Sequence, residues 1–247
     1  MDKLCIETNR DTGLLKTVAF ITMAVDHIGY VFFPQHMWMR IIGRIAFPIF
    51  AYCLATGCLY TKNPKKYALR LLAFSLISQP FYSLVFFPYG TNRLFDPINY
   101  GTIGAAISNI GANLRLNVGF TMLLALCAIE ALKKRKWLLF GIIAAASVWE
   151  GLEYSAYGVI LMVLMYVFCQ KDAESFGLVI GIYLMASFLD TPNYTFMGIS
   201  LNAQGFAVLA LPLLLINTKS GIKIPRSLGY GFYPLHIFII YLAKLFI

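Results

Sequence analysis

Runs of apolar residues divide the chain into nine segments, at about 15–33, 38–60, 67–87, 116–132, 137–149, 154–168, 176–189, 203–216 and 229–246. Apolar segments of this length are membrane spans. The fifth, seventh and eighth hold only 13 or 14 residues, short of the roughly 20 that cross a bilayer; flanking polar residues or a locally thinner membrane make up the difference. The pattern predicts an all-α, polytopic integral membrane helix bundle of about nine transmembrane helices (range 8–10), forming a single domain over residues 1–247.

Composition agrees with this. Hydrophobic residues make up 60% of the chain and charged residues 13%, against roughly 25% charged in soluble domains. Fifteen Tyr, twenty Phe and three Trp suit interfacial aromatic belts. The net charge of +9 points to membrane topology and anionic lipid rather than nucleic acid, because the basic residues sit at the ends of apolar runs. Lys62, Lys65, Lys66 and Arg70 follow the second segment, Lys133, Lys134, Arg135 and Lys136 the fourth, Lys171 the sixth, and Lys219, Lys223 and Arg226 the eighth. Connections after odd-numbered segments carry mainly acids. With basic loops inside, the N-terminus is expected in the cytoplasm and the C-terminus outside. The expected location is the inner (cytoplasmic) cell membrane, as a multi-pass protein, with 15–33 read as a retained span rather than a cleaved signal. The connection at 88–115, rich in Gly and Asn, is expected to face outward, as a lid or acceptor-binding loop or as a partly helical surface hairpin.

Four ionisable residues interrupt the first two segments: Asp26, His27, Arg40 and Arg44. Near mid-bilayer each costs about 2.5–3.5 kcal/mol on insertion scales, so they need one another, water or a ligand. Asp26 and His27 are adjacent and cannot share a helix face. Arg40 and Arg44 are one turn apart and do share one, so Asp26 is expected to pair with Arg44 or Arg40. Lys16 and His27 lie eleven positions apart, which returns to within about 20° of the same face about 16 Å along the axis. A cation at the cytoplasmic mouth and an imidazole past mid-membrane suit a long anionic cofactor, with phosphates near Lys16 and the reactive end near His27. Histidine titrates near neutral pH and can serve as general base, and Tyr30 is three residues on. Structural roles stay open for each: Lys16 as a marker of the membrane edge, and the Asp26 trio as an ion pair fixing helix packing.

His36 falls in the expected outer turn and reads as solvated. His236, one turn after Tyr233, either bonds another helix or faces the same cavity. Glu150 and Glu153 flank a short outer turn as substrate-binding acids or as solvated rim acids. The five cysteines show neither CxxC pairs nor metal-ligand spacing, so no metal and no disulfide framework is expected. Walker loops, dinucleotide fingerprints, HExxH and GxSxG do not appear, which argues against those chemistries.

The runs AVDHIGYVFFP…WMRIIGRIAFPIFAYCLATG, KKYALRLLAFSLISQPFY, LNVGFTMLLALCAIE, YGVILMVLMYVF and GFYPLHIFIIYL resemble, in that order, the TraX family, known for F-pilin acetylation. The resemblance covers about residues 15–242; DHIG, RIIGRIAFPIFA and FYPLH are its most specific pieces. The family in turn resembles the acyltransferase-3 superfamily of membrane acyl-CoA-dependent acyltransferases, where a basic residue, ten positions and a histidine mark the first helix. Lys16-x10-His27 is similar, with lysine where arginine is usual, and Tyr233-Pro-Leu-His236 stands in the place of a recurring helix resembling YLWH. The resemblance implies acetyl-CoA as donor. The acceptor it implies is an amine or hydroxyl at the outer face, on a pilin or other protein N-terminus, a glycan or a small molecule.

The expectation is therefore an integral membrane acetyltransferase. His27 takes the acceptor proton. Arg44 with Arg40 supports the developing oxyanion or the pantetheine-phosphate end, Asp26 fixes the arginine, and Lys16 meets the cofactor phosphates. Direct transfer and an acetyl-histidine intermediate both remain open. The rival reading is a proton-coupled transporter or flippase using the Asp26, His27 and Arg44 cluster, although no inverted repeat is evident. A scaffold subunit of a secretion or conjugation complex is a third.

Overall fold

The computed structural model describes residues 7–87, 114–190, 192, 194–196 and 199–246, and each of the nine apolar segments carries a helix within them. Asp11 starts α1 (Thr12–Phe32), its carboxylate accepting from the Leu14 N–H at 3.0 Å. Pro34 ends it. The residue before a proline is pushed out of the helical region, and Phe33 stands at φ −133, ψ 54.

The second apolar segment is two helices rather than the single one expected: α2 (Met37–Gly43) and α3 (Ala46–Tyr60). Pro48 explains the break, since it offers no N–H to the carbonyl of Arg44 four residues back and its ring crowds that carbonyl. Arg44 and Ile45 nonetheless keep right-handed helical dihedrals, and 37–60 forms one apolar stretch of 24 residues.

The chain continues through α4 (Pro64–Phe86), α5 (Val118–Lys133), α6 (Trp137–Ser147), α7 (Ser155–Phe168) and α8 (Ala173–Ala186). Asn63, Asn117 and Asp172 cap α4, α5 and α8 through their side chains. A short 3-10 turn, Ser187–Leu189, precedes the antiparallel hairpin of β1 (Tyr194–Phe196) and β2 (Ile199–Leu201), which pairs Tyr194 with Leu201 and departs from the all-α expectation. The 3-10 helix Ala203–Ala210 runs into α9 (Leu211–Leu215), and α10 (Arg226–Leu245) closes the order.

Among the described residues four stretches are long and apolar enough to cross a membrane: α1, α2 with α3, α4 and α10. The other apolar helices are shorter, so among the described residues length and hydropathy support four of the nine expected crossings. Large apolar side chains face outward on short and long helices alike, with Leu138 82% and Leu69 65% exposed. Such side chains are at home against hydrocarbon rather than water. Of the connection expected at 88–115, residues 88–113 lie outside the described residues.

The helices group into two compact units, residues 1–62 with 160–232 and residues 63–159 with 233–247. Each joins segments distant in sequence. In the first unit α1 packs on both α2 and α3, and the 3-10 helix Ala203–Ala210 touches α2, α3 and α8. Its core holds Leu15, Ile49, Tyr52 and Phe176, with the last two rings edge to face at 5.8 Å. The segment before α1 is tied in. Asn9 bonds backbone and side chain to Leu214, Leu213 and Thr218, and the Tyr52 hydroxyl meets Thr8 and the Asn9 carbonyl, each at 2.7 Å. In the second unit α4 and α5 are joined through Asn117, whose amide donates to the Ser75 carbonyl at 2.8 Å and to Gln79 Oε1 at 2.9 Å.

Candidate functional site: an arginine-clasped aspartate

Asp26 occupies the fourth turn of α1 and is buried. Both arginines reach it. Arg40 Nη1 lies 2.9 Å from Oδ1, while Arg44 Nη2 donates to Oδ2 at 2.8 Å and to Oδ1 at 3.1 Å, one nitrogen bridging both carboxylate oxygens. The expectation that Asp26 pairs with Arg44 or Arg40 resolves into both. Arg40 Nη1 also donates to the Asp26 carbonyl at 3.3 Å, and Arg44 Nε to the Arg40 carbonyl at 3.3 Å. The side chains are 10% (Asp26), 15% (Arg44) and 25% (Arg40) exposed, so the pairing operates largely out of water. Two guanidiniums share this one carboxylate.

Close backbone approach makes this possible. Gly43 faces Asp26 so tightly that a Cβ there would overlap the aspartate side chain, and a Cβ at Gly29 would stand 2.6 Å from that of Met39. These two glycines let α2 lie against α1 at the level of the carboxylate. The turn between Gly43 and Ala46 then places Arg44, one helical turn after Arg40, on the same carboxylate.

A fourth member arrives from far along the chain. Asn202 caps the 3-10 helix Ala203–Ala210, its Oδ1 accepting from the Gln204 N–H at 2.8 Å, and Gln204 Oε1 accepts from Arg44 Nη1 at 3.0 Å. Sequence reasoning passed over Gln204. The available signal was a lone amide at the start of an apolar segment, whose relation to Arg44 no local pattern reveals.

The remaining expected residues fall as follows. His27 is buried on α1, 100° around the helix from Asp26. Lys16 lies on the same unbroken helix, about 16 Å away and on the His27 face, and within electrostatic range of Cys53 on α3. Tyr30 is half-exposed and carries the Arg40 guanidinium over its ring at 4.9 Å. Tyr233 and His236 belong to the second unit, where both are buried with rings edge to face at 5.5 Å and Tyr233 packs against Phe74. Glu153 is engaged as a cap: its carboxylate accepts from the Val118 N–H at 2.9 Å at the start of α5, and its carbonyl accepts from Thr121. Glu150 is exposed, and its carbonyl accepts from Arg115 at 2.6 Å. Among the described residues no group of three His, Cys, Asp or Glu could hold a metal ion.

Chemically, the first unit offers a largely buried arginine–aspartate clasp between α1 and α2, and a buried imidazole on another face of α1. The clasp suits an anion or a carbonyl oxygen acquiring negative charge.

A protein-family model described as TraX protein matches residues 11–244. The chain is 28% identical over 252 residues to "Probable fimbrial assembly protein FimC, serogroup H1" of Dichelobacter nodosus, covering 94% of this chain and 95% of that protein. It is 37% identical over 84 residues to "Protein TraX" of Escherichia coli, covering 33% of this chain and 34% of that protein. It is also 38% identical over 88 residues to "Uncharacterized protein RP591" of Rickettsia prowazekii (strain Madrid E), covering 36% and 34%. No solved structure matches the chain.

Proposed function

The chain belongs to the TraX family, and from that premise we propose that it is an integral membrane acetyltransferase that moves an acetyl group from cytoplasmic acetyl-CoA to an amine or hydroxyl at the outer face. The observation that carries the proposal is the clasped Asp26 with His27 next to it on α1, and Lys16 on the His27 face of the same helix. His27 accepts the proton of the acceptor N–H or O–H while the acceptor heteroatom attacks the thioester carbonyl carbon. Arg44, steadied by Asp26, meets the oxygen that becomes negative, and Arg40 adds positive potential from one turn away. The C–S bond then breaks, and CoA leaves as thiolate and takes the proton from His27. Lys16 attracts the cofactor phosphates at the cytoplasmic end, and basic loops anchor that end to anionic lipid.

Support for the donor comes from the likeness of Lys16-x10-His27 to the first helix of the acyltransferase-3 superfamily. Support for a pilin acceptor comes from the family, and from a full-length relative named as a probable fimbrial assembly protein. A glycan or small molecule would use the same chemistry.

The test is acetyl-CoA binding and CoA release by the detergent-purified full chain, wild type beside His27→Ala. Binding by both with CoA release by wild type alone is expected. Near-normal turnover by His27→Ala would refute the mechanism, and absence of binding by wild type would refute the acetyl-CoA donor.

A further inference from the structure

The Gln204 carboxamide is held by one end only. Its Oε1 accepts from Arg44 Nη1 at 3.0 Å, whereas its Nε2 is buried and meets no acceptor among the described residues. The amide cannot be turned over to relieve this, because a guanidinium offers donors alone and would then face an N–H₂. A buried donor left unmade costs about 1–3 kcal/mol. Its backbone position is fixed as well, by the Asn202 cap and the contacts of the 3-10 helix with α2 and α3. The result is an oriented N–H₂ beside the arginine–aspartate clasp. The group that would complete it is an acceptor oxygen with full or partial negative charge.

We propose that Gln204 is a substrate-binding residue, whose Nε2 donates to the same carbonyl or carboxylate oxygen that Arg44 attracts. Arg44 plays two parts here, locking the amide in orientation and supplying charge. The inference rests on the acetyl-transfer reading for the identity of the ligand, an acyl thioester, but not for the existence of the oxygen site.

The variant Gln204→Glu isolates the donor. It keeps an oxygen for Arg44, gives that oxygen a charge Arg44 favours, and puts an oxygen where the N–H₂ was. Expected are an unchanged or raised unfolding temperature and a fall of about 10²-fold in kcat/KM for acetyl-CoA turnover, the scale of a lost oxyanion donor. A purely structural amide would leave turnover within a few-fold of wild type.

Because the variant could disturb the fold, wild type carries a second measurement. The chain has only four glutamines, Gln35, Gln79, Gln170 and Gln204, so ¹⁵N-glutamine labelling gives few side-chain amide signals, and that of Gln204 is identified by its loss in Gln204→Glu. Acetyl-CoA should shift the Gln204 signal and CoA without the acetyl group should not. An unshifted signal in protein that turns over acetyl-CoA overturns the inference and leaves the acetyltransferase reading standing. Protein that neither binds nor hydrolyses acetyl-CoA overturns that reading instead, and sodium acetate then decides the inference. An acetate-induced shift abolished by Arg44→Met supports the oxygen site, and no shift overturns it.

Discussion

Replacing Asp26 by Asn keeps the shape of the clasp and removes its charge. Three charge-assisted contacts at 2.8, 2.9 and 3.1 Å depend on that carboxylate. Without it two guanidiniums remain at 15% and 25% exposure with an amide between them, and one of the amide's two ends is a donor facing donors. Breaking a buried pair by removing one partner costs about 3–5 kcal/mol. The partial exposure of Arg40 lets water screen its share, which brings the expected loss to about 3 kcal/mol. For a chain of this length that corresponds to a fall in Tm of about 6–12 °C. The assay is unfolding of the detergent-purified protein in a cycle of wild type, Asp26→Asn, Arg44→Met and the double variant. Once the carboxylate is gone, removing Arg44 as well takes away an uncompensated buried charge, so the double variant should be less destabilised than the sum of the singles by well over 1 kcal/mol. Additivity within about 0.5 kcal/mol would refute the clasp as an energetic unit.

Gly43→Ala should be as damaging as a loss of charge: its Cβ would overlap Asp26, α2 must retreat, and about 1–3 kcal/mol is lost. A lowered Tm with turnover reduced in parallel is expected, and unchanged values of both would show that the helices are not in that contact. In the second unit, Asn117→Ala removes donors to Ser75 and Gln79 and the acceptor for the Gly119 N–H at 2.9 Å. It should cost about 2–3 kcal/mol, read as a lower Tm and faster hydrogen exchange at the start of α5. Asp11 has its pKa lowered from 3.8 to about 2, first by the Leu14 N–H and then by Ser220. Because the folded value is the depressed one, its contribution is fully present above about pH 4 and lost as pH falls towards 2. Asp11→Asn, which keeps a capping oxygen but no charge, should therefore be less stable than wild type at pH 7 and flatten the stability profile between pH 4 and 2, where the two profiles converge.

The segment at 38–60 shows how far local pattern reaches. Its hydropathy predicts one helix, which forms as two, and its spacing puts Arg40 and Arg44 one turn apart, which holds. Pro48 was visible too, and its effect on the Arg44 carbonyl could have been read four residues back. That the arginines must find Asp26 was legible because buried charge in an apolar segment demands a partner. Glu153 was not legible in the same way. Its use as a cap for α5 depends on a parallel bridge between Leu116 and Leu152, which no single segment encodes.

The sequence by itself determined the membrane class, the helices and their capped ends, because hydropathy, capping and proline geometry act within a few residues. It also determined which charges needed one another, since the cost of burying them is set by residue type. Only the tertiary structure decided that one carboxylate serves both arginines. That depends on how close two backbones come at Gly43 and Gly29. Only the tertiary structure, too, brought Gln204 to Arg44 across 160 positions, because a hydrogen bond is satisfied by proximity in space.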